Sequence, residues 1–186
     1  MKKTNREIEI KFVINNVRFI QKLLKKKRTK FVGRALERTI RFDTESKKLE
    51  KEGKFLRVRT GFKNVITFKR KIKNRRFRER EEIELEIADP KSMEMILEKL
   101  GFTKKRIMEK YREKWEWGNA EIVVDKLPFG NFIEIEGSEK SILKTVKMLG
   151  FYFKDRIITT YWSLWEDYRE KEGIKDENIV FKKTWK

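Results

Sequence analysis

Over short stretches of the chain, apolar and charged residues alternate one by one, as in strands with a single buried face. In Glu7–Phe12, Ile8, Ile10 and Phe12 fall on one side, with Glu7, Glu9 and Lys11 on the other. Phe55–Arg59 sets Arg57 and Arg59 opposite Leu56 and Val58, and Ile66–Lys71 groups Thr67, Lys69 and Lys71. Glu82–Ile87 opposes Glu82, Glu84 and Glu86 to three aliphatics, and Lys110, Arg112 and Lys114 alternate with Tyr111, Glu113 and Trp115. Glu121–Asp125 and Phe132–Glu136 behave alike. Between the strands, apolar residues at helical spacing predict helices over Val17–Leu24, Met93–Leu100 and Ile142–Leu149, with a fourth near Tyr161–Glu172. Asp89-Pro90 and Ser138 with Ser141 supply helix starts, and Gly101 and Gly150 supply stops. Three times a strand leads into a helix, an echo of shared architecture without a fixed repeat period.

Single strands with one polar face commonly turn it to water. Here, however, whole strands carry one sign: acids on the first, fourth and last, bases on the second, third and fifth. Closing the sheet into a barrel would gather these faces around a lumen and leave the apolar faces outside, under helices. Carboxylates beside Lys and Arg suit a divalent cation together with a polyphosphate, since hard oxygens hold the metal and cations hold phosphate.

Composition narrows the chemistry. The 186 residues fit one domain, and we expect residues 1–186 to form one. No Cys and no His are present, so thiolates, disulfides, zinc-thiolate sites and imidazole-based triads are excluded. Catalysis must rest on carboxylates, Lys, Arg, Tyr and hydroxyls. The net charge of +19 points to polyanions such as nucleic acid or polyphosphate. No long uncharged apolar run occurs, and Lys2, Lys3 and Arg6 precede no apolar leader, so a cytoplasmic protein is expected. Abundant Lys and Glu with a single Gln, Gln21, fit a thermophilic origin.

The E-x-E-x-K strand Glu7–Lys11 resembles the signature of the CYTH superfamily, the triphosphate tunnel metalloenzymes. Further matches follow in family order: Leu56–Arg59, Thr67–Lys69, Arg80–Glu84, Lys110–Arg112, Asp125 and Gly130–Glu136. The resemblance spans about residues 5 to 165. It implies an α+β fold, an eight-stranded antiparallel β-barrel forming a charged tunnel with helices outside. It implies Glu7, Glu9, Glu134 and Glu136 as carboxylates on the metal side, Glu82 and Glu84 in the acidic wall, and Asp125 as a further acid in the lumen. Lys11, Arg57, Arg59, Lys69, Lys110 and Arg112 would hold phosphates, and Lys11, Glu9 and Glu134 form the expected catalytic set. One strand departs from the family pattern: where members read D-x-Y-x-D, Thr39–Asp43 keeps only the last acid.

The implied cofactor is Mg²⁺ or Mn²⁺, and the implied substrate is ATP, thiamine triphosphate or inorganic tripolyphosphate. Attack by water gives a triphosphatase; attack by a ribose 3′-hydroxyl on the α-phosphate gives a class IV adenylyl cyclase. Lys11 is either a general base or a phosphate ligand. The alternative to an enzyme is a module that binds polyphosphate or RNA, with Lys25–Arg28 and Arg75–Arg78 as basic runs and an RNA 5′-triphosphate as one target. Trp115, Trp117, Trp162, Trp165 and Trp185 are either stacking platforms or core. The aromatic segment Tyr161, Trp162, Trp165 and Tyr168 is either core or a homodimer contact.

Overall fold

A computed structural model describes residues 5–182; Lys2, Lys3 and Trp185 lie outside that range. Its strands are β1 (Asn5–Val13), β2 (Lys30–Asp43), β3 (Lys54–Thr60), β4 (Val65–Ile72), β5 (Arg78–Glu86), β6 (Thr103–Trp117), β7 (Ala120–Leu127) and β8 (Gly130–Gly137). The helices are α1 (Val17–Lys26), α2 (Lys48–Lys51), α3 (Pro90–Lys99), α4 (Glu139–Leu149) and α5 (Tyr161–Lys171), with a 3₁₀ turn at Phe153–Asp155. The strands close into a barrel in the order β1-β5-β4-β3-β2-β6-β7-β8, every neighbour antiparallel.

The expected strands and helices are present, and the caps act as their residue types dictate. Asp89 accepts from the Lys91 amide with Pro90 opening the helix, Ser138 accepts from the Ser141 amide, and Gly150 ends α4 in the left-handed conformation. Two elements are additional. β2 runs fourteen residues where the sequence pattern pointed only to Thr39–Asp43. The short α2 forms because buried Asp43 accepts hydrogen bonds from the amides of Thr44 (2.7 Å), Leu49 (2.9 Å) and Glu50 (3.0 Å). Asp43, the one acid left in the departing motif, is thus committed to holding a helix.

The barrel is inverted relative to one with a greasy interior. Period-two alternation turns Ile10, Phe12, Ile122, Val124, Ile133 and Ile135 outward, where α1 and α4 cover them with Ile20, Leu24, Ile142, Val146 and Leu149. A second outer cluster joins Ile40, Phe42, Leu56 and Val58 to Leu97 of α3. Each fully buried aliphatic contributes about 1.5–3 kcal/mol. The core therefore lies between sheet and helices, and the lumen is left to charge.

The C-terminal chain completes the structure at two splayed edges. β1 pairs with β5 over Asn5–Glu9 and with β8 over Glu9–Val13, so its second half has one bare edge. Ile157 takes that edge through two backbone bonds with Lys11, of 3.1 and 2.8 Å. Ile179 does the same on β6, bonding Ile107 and Glu109 at 2.9 and 2.7 Å. Between these two seams, Tyr161, Trp162 and Trp165 of α5 pack on Met108, Leu127 and Phe132 and cover one end of the lumen. Trp115 and Trp165 are buried and Trp117 packs against the first cluster, so these three belong to packing, whereas Trp162 is buried in the second cluster and also lines the cavity.

Ile135→Ala is expected to destabilise the protein by about 2–5 kcal/mol, because Ile135 is fully buried and the outer core is stiff. Chemical denaturation measures this; a loss below about 1 kcal/mol would contradict an outer core of this kind.

Candidate active site

The inward residues of the strands line a cavity of about 570 Å³. β1, β5 and β8 bring Glu7, Glu9, Glu82, Glu84, Glu134 and Glu136; β3, β4 and β6 bring Arg57, Arg59, Lys69, Lys110 and Arg112. Lys11 lies among them, and Asp125 is sealed beneath, without solvent exposure. All the candidate site residues named from the sequence thus meet in or at one lumen. Glu86, on the same face of its strand, instead stays exposed and pairs with Lys63 at the surface.

Glu7, Glu9 and Glu136 form the tightest acid group, with ligand oxygens within 4.8 Å of one another. Lys69 donates to both oxygens of Glu7, at 2.6 and 2.7 Å, and lies 2.9 Å from Glu82. Burial would raise the Glu9 pKa, but Arg78, Lys11 and Lys69 outweigh it and hold Glu9 well below the usual range. Glu136 has no salt bridge among the described residues, and the pull of Lys69 does not outweigh what opposes its charge. Burial together with the charges of Glu7 and Glu9 pushes it up to about 8. Three hard oxygen donors carrying more negative charge than the protein neutralises fit a divalent cation.

Deeper in the lumen the charges are balanced. Asp125 accepts from Arg112 Nε (2.7 Å), Lys110 Nζ (3.0 Å) and the Tyr161 hydroxyl (3.0 Å), and Arg112 also reaches Glu134. Burial works against the Asp125 charge, yet Arg112 and Lys110 hold its pKa far below normal. Burial, with Asp125 and Glu134 nearby, drives the Tyr161 phenol well above its ordinary value, so it remains a donor. Burial, together with neighbouring Arg112, lowers the Lys110 pKa. Lys11 Nζ donates to the Thr159 carbonyl at 2.9 Å and lies 3.4 Å from both Glu9 and Glu134.

Glu37 was not singled out by the sequence reading, yet it is almost fully buried, 3.6–3.8 Å from Arg59, Lys110 and Arg112. Burial opposes its ionisation, but Arg112, Lys110 and Arg59 lower its pKa all the same. Gly61 makes room for it: with φ +145°, a Cβ there would come within 2.8 Å of Glu37 Cγ. On the basic side, Arg57 donates to Thr67 at 3.2 Å, while Arg59 and Thr67 both donate to Glu84, at 3.3 and 3.1 Å. The Nε atoms of Arg41, Arg59 and Arg78 are buried with no partner among the described residues. Unsatisfied and enclosed, these donors lower the stability of the unliganded lumen.

The CYTH domain family model matches residues 5–147. The chain belongs to the CYTH family. A Methanocaldococcus jannaschii protein named "Putative adenylate cyclase" is 30% identical over 145 residues, covering 77% of this chain and 83% of that one. A Pyrococcus horikoshii structure shares the fold with a TM-score of 0.72 at 26% identity, over 83% of this chain and 96% of that chain. A Hippeastrum protein, described as a "putative adenylyl cyclase" with a dominant triphosphatase activity, superposes with a TM-score of 0.62 at 21% identity, over 87% and 96%. Of the residues at this CYTH site, the sequence reading left Glu37 unnamed and gave no site role to Arg41, Arg78, Arg80 or Tyr161. For the β2 pair the signal was present: Glu37, Thr39 and Arg41 alternate with Arg38, Ile40 and Phe42. Among the described residues no helix of this CYTH protein is long and apolar enough to cross a membrane.

Two outcomes follow from this electrostatic arrangement. Because the Glu136 pKa stands above its ordinary 4.5, its ionisation opposes folding. Metal-free protein should lose thermal stability as pH rises from about 5 to 8, Glu136→Gln should flatten that slope, and a divalent cation should reverse it at pH 8. Differential scanning calorimetry reads all three, and an identical slope in the variant would contradict the acid triad. Asp125→Asn leaves Lys110 and Arg112 under-compensated, and an urea titration should show a loss of about 3–5 kcal/mol.

Proposed function

We propose that the protein is a divalent-metal-dependent enzyme acting on a triphosphate held in the barrel lumen. The reading rests on one observation: a single cavity carries both an under-neutralised acid triad and an adjoining wall of Arg and Lys. A module that only bound polyanions would gain nothing from carboxylates among its cations, so the triad weighs against that alternative.

Glu7, Glu9 and Glu136 would hold Mg²⁺ or Mn²⁺, with Glu82, Glu84 and Glu134 adjoining. Such an ion neutralises phosphate oxygens and acidifies a hydroxyl nucleophile. Arg57, Arg59, Lys69, Lys110 and Arg112 hold phosphate oxygens and so fix the reacting phosphorus, the main protein contribution to phosphoryl transfer. Asp125 and Tyr161 orient Arg112 and Lys110 through the bonds described above. We assign Lys11 to positioning: its ammonium is anchored on Thr159 and spans the space between Glu9 and Glu134. Water as nucleophile gives hydrolysis, and a ribose 3′-hydroxyl gives cyclisation. The names of the relatives include both cyclase and triphosphatase.

Phosphorus NMR of ATP with the protein and Mg²⁺ or Mn²⁺ tests the proposal. Pyrophosphate with cyclic AMP identifies a cyclase, whereas ADP with orthophosphate identifies a triphosphatase. Glu9→Gln and Glu136→Gln should each lower turnover by about 100-fold or more while circular dichroism stays native. Full turnover in both variants, or metal-independent binding as the sole activity, counts against it.

A further inference from the structure

The net charge of +19 is not spread evenly over the molecule. At α3 and α5 cations and acids are mixed: Glu94 and Glu98 hold Lys104 at 2.9 and 3.1 Å, and Glu166 pairs with Arg169. α1 and α4 differ. From Ile14 to Leu36 the chain holds no acid, and the one acid on α4, Glu139, lies 3.8 Å from Arg76.

Both helices lie on the same outer core cluster, to which α1 gives Ile20 and Leu24 and α4 gives Ile142 and Val146. With those residues buried, the helical period turns the opposite side of each helix to solvent. That side carries a cation at i, i+4 and i+7 in both: Arg18, Lys22 and Lys25 on α1, and Lys140, Lys144 and Lys147 on α4. All six are exposed and make no ion pair among the described residues; of the other basic residues, Lys30 pairs with Glu116 and Arg76 with Glu139.

Stability does not account for the two stripes. Like charges three and four residues apart repel, and Arg18 and Lys140 are each the second residue of a helix, where the helix dipole disfavours a cation. The same side chains do complement an extended array of anions. Each stripe spans roughly 10 Å, and a nucleic-acid duplex carries about six phosphate charges over that length, as many as the two stripes have cations. Exposed Lys26, Lys27 and Arg28 continue the basic surface past the second stripe residue pair of α1. A lipid surface fits less well, because an interfacial helix buries its apolar face in the bilayer and here both apolar faces are committed to the core.

We propose that the outer face of α1 and α4 binds the phosphate backbone of a nucleic-acid duplex. The sheet and the outer core separate this face from the lumen, and a duplex cannot enter a cavity of about 570 Å³. The inference therefore does not depend on the triphosphate reading.

The test is fluorescence anisotropy of a labelled B-DNA duplex of about 24 base pairs with 5′-hydroxyl ends, without divalent metal, over a range of KCl. Six phosphate contacts give an expected slope of about −5 for the logarithm of the association constant against that of the salt concentration. Arg18→Gln/Lys22→Gln/Lys25→Gln and Lys140→Gln/Lys144→Gln/Lys147→Gln should each flatten the slope by about 3 and weaken binding by about tenfold or more at low salt. Lys91→Gln/Lys99→Gln/Lys171→Gln removes the same charge from exposed positions on α3 and α5 and should leave the slope unchanged. A wild-type slope shallower than about −2, or equal weakening by all three variants, overturns the proposal. Capture of the wild type by phosphatidylserine–phosphatidylcholine vesicles with no binding of the duplex also overturns it, in favour of a lipid surface. The wild-type slope does not depend on how well any variant folds.

Discussion

Ions placed inside a closed sheet must be compensated by other ions, and this requirement organises the molecule. Withdrawing a carboxylate or ammonium from water costs several kcal/mol even after relaxation. A lumen lined by acids on three strands and bases on three others is tolerable only because the two sets interdigitate. Asp125 is the clearest case: three donors from β6 and α5 converge on it, and its position on β7 ties the sheet to the helix covering the lumen's end. Glu37 does the same for β2, reaching cations of β3 and β6. Compensation fails in two places. Glu136 sits with two other acids, and the Nε donors of three arginines have no acceptor among the described residues. The first deficit is one of positive charge and the second one of acceptors.

Charge inside forces the apolar core outside. A sheet whose inner face cannot be packed with aliphatics must draw its stability from its outer face, and this explains why helices follow β1, β5 and β8 so closely. It also explains the work given to the chain after α4. Ile157 and Ile179 occupy bare strand edges that would otherwise expose unpaired backbone, and α5 between them lays aromatics across one end of the lumen. The capping of both bare edges and the aromatic wall over the lumen thus come from one continuous segment.

Much of this was legible in the chain because alternation and single-sign faces are local. Lys11, Arg57, Lys69, Lys110 and Glu134 lie on strands whose period is strict, and the caps at Asp89, Ser138 and Gly150 are set by neighbouring residues. What escaped depends on distance. β2 begins with exposed Lys30, Phe31 and Val32 and has Arg38 on its outer face, so its period is blurred until it pairs with β3 and β6. α2 is too short for a helical pattern and owes its existence to Asp43. Arg78 read as part of a basic loop because Arg75 and Arg76 precede it; its salt bridge to Glu9 joins residues far apart in sequence. Tyr161 showed only as an aromatic on a helix, and its bond to Asp125 is a product of the fold.

The two deficits also bear on how ligands would share the cavity. If the acid triad takes a divalent cation, excess negative charge is relieved there, but the Arg and Lys wall gains no counter-charge. If the Arg and Lys wall takes phosphate oxygens, its cations gain a counter-charge, but a polyanion then stands beside Glu136 and its two acid neighbours. Each ligand alone corrects one fault and leaves or worsens the other. Both together correct both, because the metal's charge screens the acids from the phosphates. On that physical ground a metal and a triphosphate sharing this cavity would each raise the affinity for the other by the same factor. The stability given up by burying opposed charges is the source of that coupling, since an apolar lumen would be steadier and would have nothing for a ligand to complete.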